Sequence, residues 1–384
     1  RATDLFSRPE SYKIRPPQIK PTTFSTMKKQ IFFLLHFLSS SLQSVAASFS
    51  THKTMIDDVT VYSLSNTVTK EQVNVLSFGG KIDSLRLGPN SEEPPRDVLA
   101  SRCSPDLRDC TSADLKSQTS VNAMLIPYAN RVYEGQYEFP QRQINYLSDD
   151  NTTTSHGFLY DGRELSLVGL SSDSERAHLT LSTFFNGSDP GYPFQVETNI
   201  TYTLDTEGFS LSVVSQNVMF DSQTSVPFMV GSHPYFHLRK SNFSNAIVEL
   251  DQRYRWNRVL QRSDAQVPNG KALDWTAYMD GSKSLEEARE FDCPLCDSIW
   301  DDGFKRLGRG IDDTKITIHD GDDEIVLTMS PEFNFVQIYT GNDECGIAVE
   351  PMSGSTDNWN NRDGTDILEV GEIWQGSWHV ALQN

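Results

Sequence analysis

Between Val196 and Val213 the chain alternates apolar and polar residues. Val196, Thr198, Ile200, Tyr202 and Leu204 are interleaved with Glu197, Asn199, Thr201 and Thr203; after Asp205-Thr206-Glu207-Gly208 the alternation resumes at Phe209, Leu211 and Val213. A repeat of two places successive side chains on opposite faces of an extended chain and conflicts with the longer repeat of a helix. The segment predicts a β-hairpin with one buried and one wet face, and it places the sequon residue Asn199 on the wet one. A second hairpin is expected from Lys315–His319 through Asp320–Glu324 into Ile325–Met329. Phe333, Phe335 and Gln337 share one face of a following strand, before the turn Gly341-Asn342-Asp343. Further strands are expected at 59–64, 72–78, 178–184 and 373–382, and amphipathic helix only near Ser284–Glu290. Short strands divided by turns, almost without helix, define an antiparallel sandwich or barrel. Pro89–Ser120 reads as a long surface loop, and no Pro/Gly-rich linker or internal repeat divides the rest.

The first part of the chain lies outside this pattern. Met27-Lys28-Lys29 precedes the apolar run Ile31–Leu38, and small residues follow through Ser44-Val45-Ala46-Ala47-Ser48. A basic start, a short apolar centre and a small-residue cleavage point describe a secretory signal peptide. The competing reading, a membrane anchor, is disfavoured because the run is too short to span a bilayer as a helix. Residues 1–26 are expected to be upstream sequence foreign to the native protein, 27–47 the signal peptide and 48–384 the folded domain, which is expected to be secreted. The 384 residues hold 52 acidic and 33 Lys/Arg side chains, a net of −19. The first 47 carry seven basic and two acidic residues, so removing them leaves 26 against 50 and a net of −24. Such acidity argues against nucleic-acid and anionic-lipid partners. Export also fits the four N-x-Ser/Thr sequons at Asn151, Asn186, Asn199 and Asn242. Of the five cysteines, Cys103 with Cys110 and Cys293 with Cys296 are the economical pairs, and Cys345 is left as a buried thiol. No second ligand pair stands at zinc spacing beside Cys293-x-x-Cys296.

Two segments carry chemistry. In Gly231-Ser232-His233-Pro234-Tyr235-Phe236 the residue before proline is held extended and aromatics flank the ring, which suits a fixed general acid or base. Read alone, a structural histidine at a strand end competes with that role. Gly346-Ile347-Ala348-Val349-Glu350-Pro351 turns Val349 to the core and Glu350 to the opposite face, where it is either a surface charge or a catalytic base; Pro351 is expected to end the strand pairing. Asn130-Arg131 and Ser155-His156-Gly157 add polar groups beside turn-like sequence, and Trp300-Asp301-Asp302-Gly303-Phe304 sets carboxylates beside aromatics. Glycine-rich phosphate loops, histidine-rich metal motifs and a nucleophile elbow are not found.

Taken in order, Tyr128–Gly135, Ser155–Gly157, Ser232–Leu238, Trp300–Phe304, Val336–Asn342 and Val349–Pro351 resemble the aldose 1-epimerase (galactose mutarotase) family, from about Val73 to the C-terminus. The resemblance implies an all-β fold, a large antiparallel sandwich of the galactose mutarotase type (a supersandwich) with an open sugar cleft on one sheet face. It implies Glu350 as general base and His233 as general acid, with Arg131, His156, Asp301 and Gln337 as ligands of sugar hydroxyls and Asn130 as a neighbouring polar group. Asp301 rather than Asp302 follows from the spacing to Phe304. Pro127-Tyr128 and the segment Leu99–Ser120 depart from the family pattern, which bears on the preferred sugar.

The implied reaction interconverts the α and β anomers of a free hexose, galactose or glucose. A proton leaves the C1 hydroxyl, another is added to the ring oxygen, and the opened aldehyde rotates about C1–C2 before closing. No metal or cofactor is expected, and the partner is a small-molecule sugar. Glu350 is expected ionised and His233 protonated at the start, with Asp301 helping to keep the imidazolium charged. Two other readings compete. A hexose-6-phosphate epimerase on the same fold conflicts with the leader and the acidity, and a non-catalytic sugar-binding protein has no need of a matched acid and base.

Overall fold

The strongest alternation forms the strands it predicts. The computed structural model describes residues 48–383 apart from 90–93, 102, 104, 118–119, 141–142, 161, 222, 239–245, 263–264, 276–300, 309, 342–345 and 365. Strands Gln195–Asp205 and Gly208–Asn217 pair antiparallel around the two-residue loop Thr206-Glu207. Gly208 closes the loop at φ +135°, and a Cβ there would stand 2.3 Å from the Val380 carbonyl oxygen, so only glycine fits. Val196, Ile200, Tyr202, Leu204, Phe209, Leu211 and Val213 are fully buried, while Asn199 stays in the outward row.

This hairpin lies within an eight-stranded sheet. Its order is Ser166–Ser172, Arg176–Asn186, Gln195–Asp205, Gly208–Asn217, Ile373–Gln383, Asp323–Met329, Thr314–Asp320 and Ile247–Leu250. A second sheet runs Pro268–Asp274, Arg255–Gln261, Asp301–Leu307, Phe335–Tyr339, Ile347–Met352, Gly231–Ser232 and Met124–Leu125, with Tyr235–Phe236 also paired to Ile347–Met352. A five-stranded sheet, Phe49–Ile56 to Arg96–Asp97, completes the main layers. One apolar core joins the three: Leu179, Ile200 and Leu211 from the first, Phe304, Val336 and Val349 from the second, Leu64, Val73 and Leu85 from the third. The architecture is an antiparallel β-sandwich, with each inner face buried by the period-two pattern of its strands.

Between the five-stranded sheet and the Thr314–Met329 hairpin sits a buried ion triad. Arg96 reaches Asp320 Oδ2 at 3.4 Å and Asp323 Oδ2 at 3.1 Å, all three side chains at most 5% exposed. Pro89–Ser120 is therefore not a surface loop throughout. Arg96, Val98 and Leu99 are buried because the chain here closes one edge of the core. Farther on, Cys103 and Cys110 form a disulfide with Cα atoms 5.5 Å apart.

Three other expectations are corrected. Phe333 precedes the strand Phe335–Tyr339 and packs in the main core against Trp374, whereas Phe335 lies on the opposite face. Pro351 does not end the pairing: Val336 lies opposite it, and Met352 continues the strand opposite Phe335. The amides of Val349 and Ser353 point away from that ladder, to the carbonyls of Pro234 and Val230, so the N–H that Pro351 lacks is missing on that side only. Short helices occur at Ser112–Lys116 and Asn358–Asn361, too brief to give a periodic signal. Residues 1–47, the helix expected at Ser284–Glu290, Asn242, Cys293, Cys296, Trp300, Asn342 and Cys345 lie outside the described residues. Among the described residues no helix is long and apolar enough to cross a membrane.

Candidate functional site

The second sheet turns one face to the core and the other to a polar cluster. Cross-strand pairing sets Val259, Gly303, Gln337 and Glu350 in one row. The pleat puts Asp301, Phe335, Tyr339, Ala348 and Met352 on the same face, while Phe304, Val336, Ile338, Ile347 and Val349 point into the core. Glu350 is thus carried out of an apolar strand yet remains 2% exposed.

His233 meets Glu350 from the neighbouring segment of the sheet, its Nε2 3.4 Å from Oε1. The backbone around it is fixed on both sides. The His233 amide donates to the Ala123 carbonyl, and its carbonyl accepts from the Asn122 amide, each at 3.0 Å. Buried Asn122 adds its side chain, accepting from the Tyr235 amide at 2.9 Å and donating to the Ala100 carbonyl at 2.7 Å. Tyr235 stacks on the imidazole, ring centres 5.0 Å apart and 7° from parallel. His156 approaches edge-on at 5.3 Å.

Asn130 and His156 adopt left-handed backbone, φ +54° and +71°, on either side of the short pairing of Arg131 with Ser155. The His156 amide donates to the Asn130 carbonyl at 2.7 Å. These turns aim the Arg131 guanidinium inward. It donates to Asn130 Oδ1 at 2.9 Å and to Asp301 Oδ2 at 3.1 Å, and Asp301 Oδ1 accepts from Gln337 Nε2 at 2.6 Å. Asn130, Arg131, Asp301 and Gln337 form one chain of hydrogen bonds ending beside Glu350. Asp302, one residue on, faces the other way and pairs with Arg258 at 2.7 Å. Each of the seven residues singled out in the sequence, Glu350, His233, Arg131, His156, Asp301, Gln337 and Asn130, belongs to this one cluster.

The electrostatics differ from the expected starting state. Burial pushes the Glu350 carboxyl well above the usual carboxylate range, Asp301 pushes it further, and Arg131 opposes. Burial also drives the His233 imidazole well below its ordinary value, with His156 and Arg131 adding to the effect. Asp301, its oxygens engaged by Arg131 and Gln337, bears on Glu350 and not on His233. It therefore does not hold His233 as an imidazolium. In the free protein the low dielectric favours an uncharged pair, with one proton held between carboxyl and imidazole. His156 is pushed down to about 4, mainly by burial and then by Arg131, and is neutral at pH 7.

Beside the row lies a small cleft lined by Val259, Gln261, Pro268, Gly303, Phe335, Met352, Ser355 and Thr356. Gln261 also donates to the Asp301 carbonyl at 2.6 Å. Sequence reasoning missed Gln261 and Asn122. Gln261 sits in a strand too irregular to be recognised, and Asn122 acts through hydrogen bonds that leave no sequence pattern. Among the described residues no group of His, Cys, Asp and Glu is arranged to hold a metal ion.

Solved structures share this arrangement of sheets. A galactose mutarotase-like protein from Clostridium acetobutylicum aligns at a TM-score of 0.69 with 16% identity, covering 88% of this chain and 99% of that one. An aldose epimerase homologue from C. elegans aligns at 0.63 with 14% identity, and galactose 1-epimerase from Lactobacillus acidophilus at 0.62 with 16%, both with the same coverage. The fold is that of the galactose mutarotase-like sandwiches. Residues 60–381 match the sequence profile of the family described as aldose 1-epimerase, and the chain belongs to that family. No curated protein matches it by sequence.

Proposed function

We propose that this protein is an aldose 1-epimerase that interconverts the anomers of a free hexose, galactose or glucose, with Glu350 as base and His233 as acid. The observation that carries the reading is the buried Glu350–His233 contact at 3.4 Å, set beside the Arg131–Asp301–Gln337 chain. The reactive form holds the shared proton on His233. It has the same net charge as the uncharged form, so no proton need enter or leave when a sugar binds. Sugar hydroxyls donating to Glu350 would replace the hydration that burial removed and stabilise its carboxylate. The carboxylate takes the C1 hydroxyl proton, the C1–O5 bond opens as His233 gives its proton to O5, and the aldehyde forms. Rotation about C1–C2 and the reverse transfers close the other anomer and restore both groups. Arg131, His156, Asp301, Gln337 and Asn130 hold and orient the ring hydroxyls, a contribution of geometry rather than of proton transfer.

Secretion is part of the proposal. The leader-like start and the Cys103–Cys110 disulfide support it, since such bridges persist in oxidising compartments. An N-terminus of the exported protein near Ala47–Phe49, read by mass spectrometry, is the expected result, and one before Met27 would refute the leader assignment.

Polarimetry on fresh α-D-galactose or α-D-glucose tests the catalytic reading. The wild type should accelerate mutarotation, and Glu350→Gln should lose roughly 10²–10⁴-fold in kcat while remaining folded. Full activity in the variant would sink the mechanism.

A further inference from the structure

Gly303 is a glycine in the interior of a strand, where the absence of a side chain weakens the sheet and marks a turn, a bulge or a close approach. No turn or bulge interrupts this strand: Gly303 pairs in register with Val259 on one side and Gln337 on the other. Its backbone is not among those with positive φ, so glycine is not demanded by conformation. What glycine provides is space. A Cβ there would stand 3.2 Å from Gln337 Oε1 and 3.7 Å from the Val259 Cβ, on the face that lines the cleft.

The neighbouring amide supplies the second observation. Gln337 is 1% exposed and its Nε2 is committed to Asp301, which leaves Oε1 as the end of the amide beside Gly303. Its Oε1 is buried and has no hydrogen-bond partner among the described residues. A buried acceptor without a partner costs free energy until a donor reaches it.

We infer that Gly303 is a specificity-determining residue: it leaves the floor of the cleft bare so that the sugar ring lies against the sheet with one hydroxyl donating to Gln337 Oε1. The inference rests on the proposed sugar site and deepens it. It selects a neutral, hydroxyl-bearing ring at this point. A phosphate or carboxylate would bring acceptors to an acceptor, with the Asp301 carboxylate behind it.

Gly303→Ala decides the matter, because alanine suits a strand at this φ and the variant should fold. Kinetics of mutarotation should show KM raised about tenfold with kcat within a few fold, the size of effect that one methyl group has in a fitted pocket. A purely structural glycine gives the opposite outcome, an unchanged KM together with a higher Tm, and that result overturns the inference. Gly303→Ser, whose hydroxyl can itself donate to Gln337 Oε1, should raise KM at least as much. Calorimetric titration of galactose and glucose into both proteins keeps the two levels apart. A wild type that binds sugar without turnover, with binding weakened in Gly303→Ala, removes the catalytic reading and leaves this one standing. Equal affinities in the two proteins, or no binding by the wild type, overturn it.

Discussion

At the scale of single residues, the site keeps its two central ionisable groups under conditions that oppose their charges. Burial raises the Glu350 pKa and lowers that of His233. A carboxyl with a raised folded pKa makes the protein lose stability as pH climbs from about 4 through the folded value. Glu350→Gln, which does not titrate, should therefore be more stable than wild type at pH 7, by on the order of 1 kcal/mol, and the gap should narrow toward pH 4. Urea unfolding at several pH values reads this directly. Catalysis needs the singly protonated pair, so kcat should stay level across neutrality. It should fall on the acid side only well below the ordinary imidazole range, and further as His156 charges near pH 4. An acid limb centred near 6.5 in a pH–rate profile would contradict that. Asp83, away from the site, follows the same physics. Burial lifts its carboxyl to about 7 against an opposing hydrogen bond from Ser101. Wild-type stability should drop more steeply than that of Asp83→Asn as pH rises from about 4 to about 7, opening a difference on the order of 4 kcal/mol by pH 8. Parallel melting curves at pH 5 and 8 measure it.

At the scale of elements, strands supply direction and turns supply aim. Glu350 was legible in the sequence because period-two alternation sends it away from its apolar neighbours, whereas Gln337 and Asp301 took their roles from motif resemblance and the strand pairing then set them on the face of Glu350. His233, Arg131 and His156 stand at bends, and their roles rested on motif resemblance; periodicity contained nothing about them. What no pattern disclosed is the support behind them. Asn122 ties three segments together through side chain and backbone, an arrangement made by residues distant in sequence. Asn122→Ala leaves the Tyr235 amide unpaired in the interior, and the His233 turn loses one brace. On the proposed reading kcat should fall about tenfold with KM nearly unchanged, since the sugar ligands are untouched. A matched fall in affinity would show instead that the whole cleft had collapsed.

At the scale of the whole molecule, three sheet faces share one core, and the sequence revealed the sandwich because its longest strands alternate most cleanly. It concealed the Arg96–Asp320–Asp323 triad, since charged residues in a segment read as a loop give no sign of burial. Arg96→Met removes the cation from beside two buried aspartates and should cost about 3–5 kcal/mol, seen as a lower urea midpoint. Replacing the aspartates as well by apolar residues should recover much of that loss. The interrupted ladder at Pro351 has a consequence of its own. Glu350 is carried by the strand bonded to Phe335–Tyr339, whereas His233 hangs from Asn122 and Ala123, and Pro351 offers no donor between the two. Base and acid thus face each other across a single missing rung, while the Val349–Pro234 and Ser353–Val230 bonds on either side clamp their two segments together, so a shift in one mount is carried to the other.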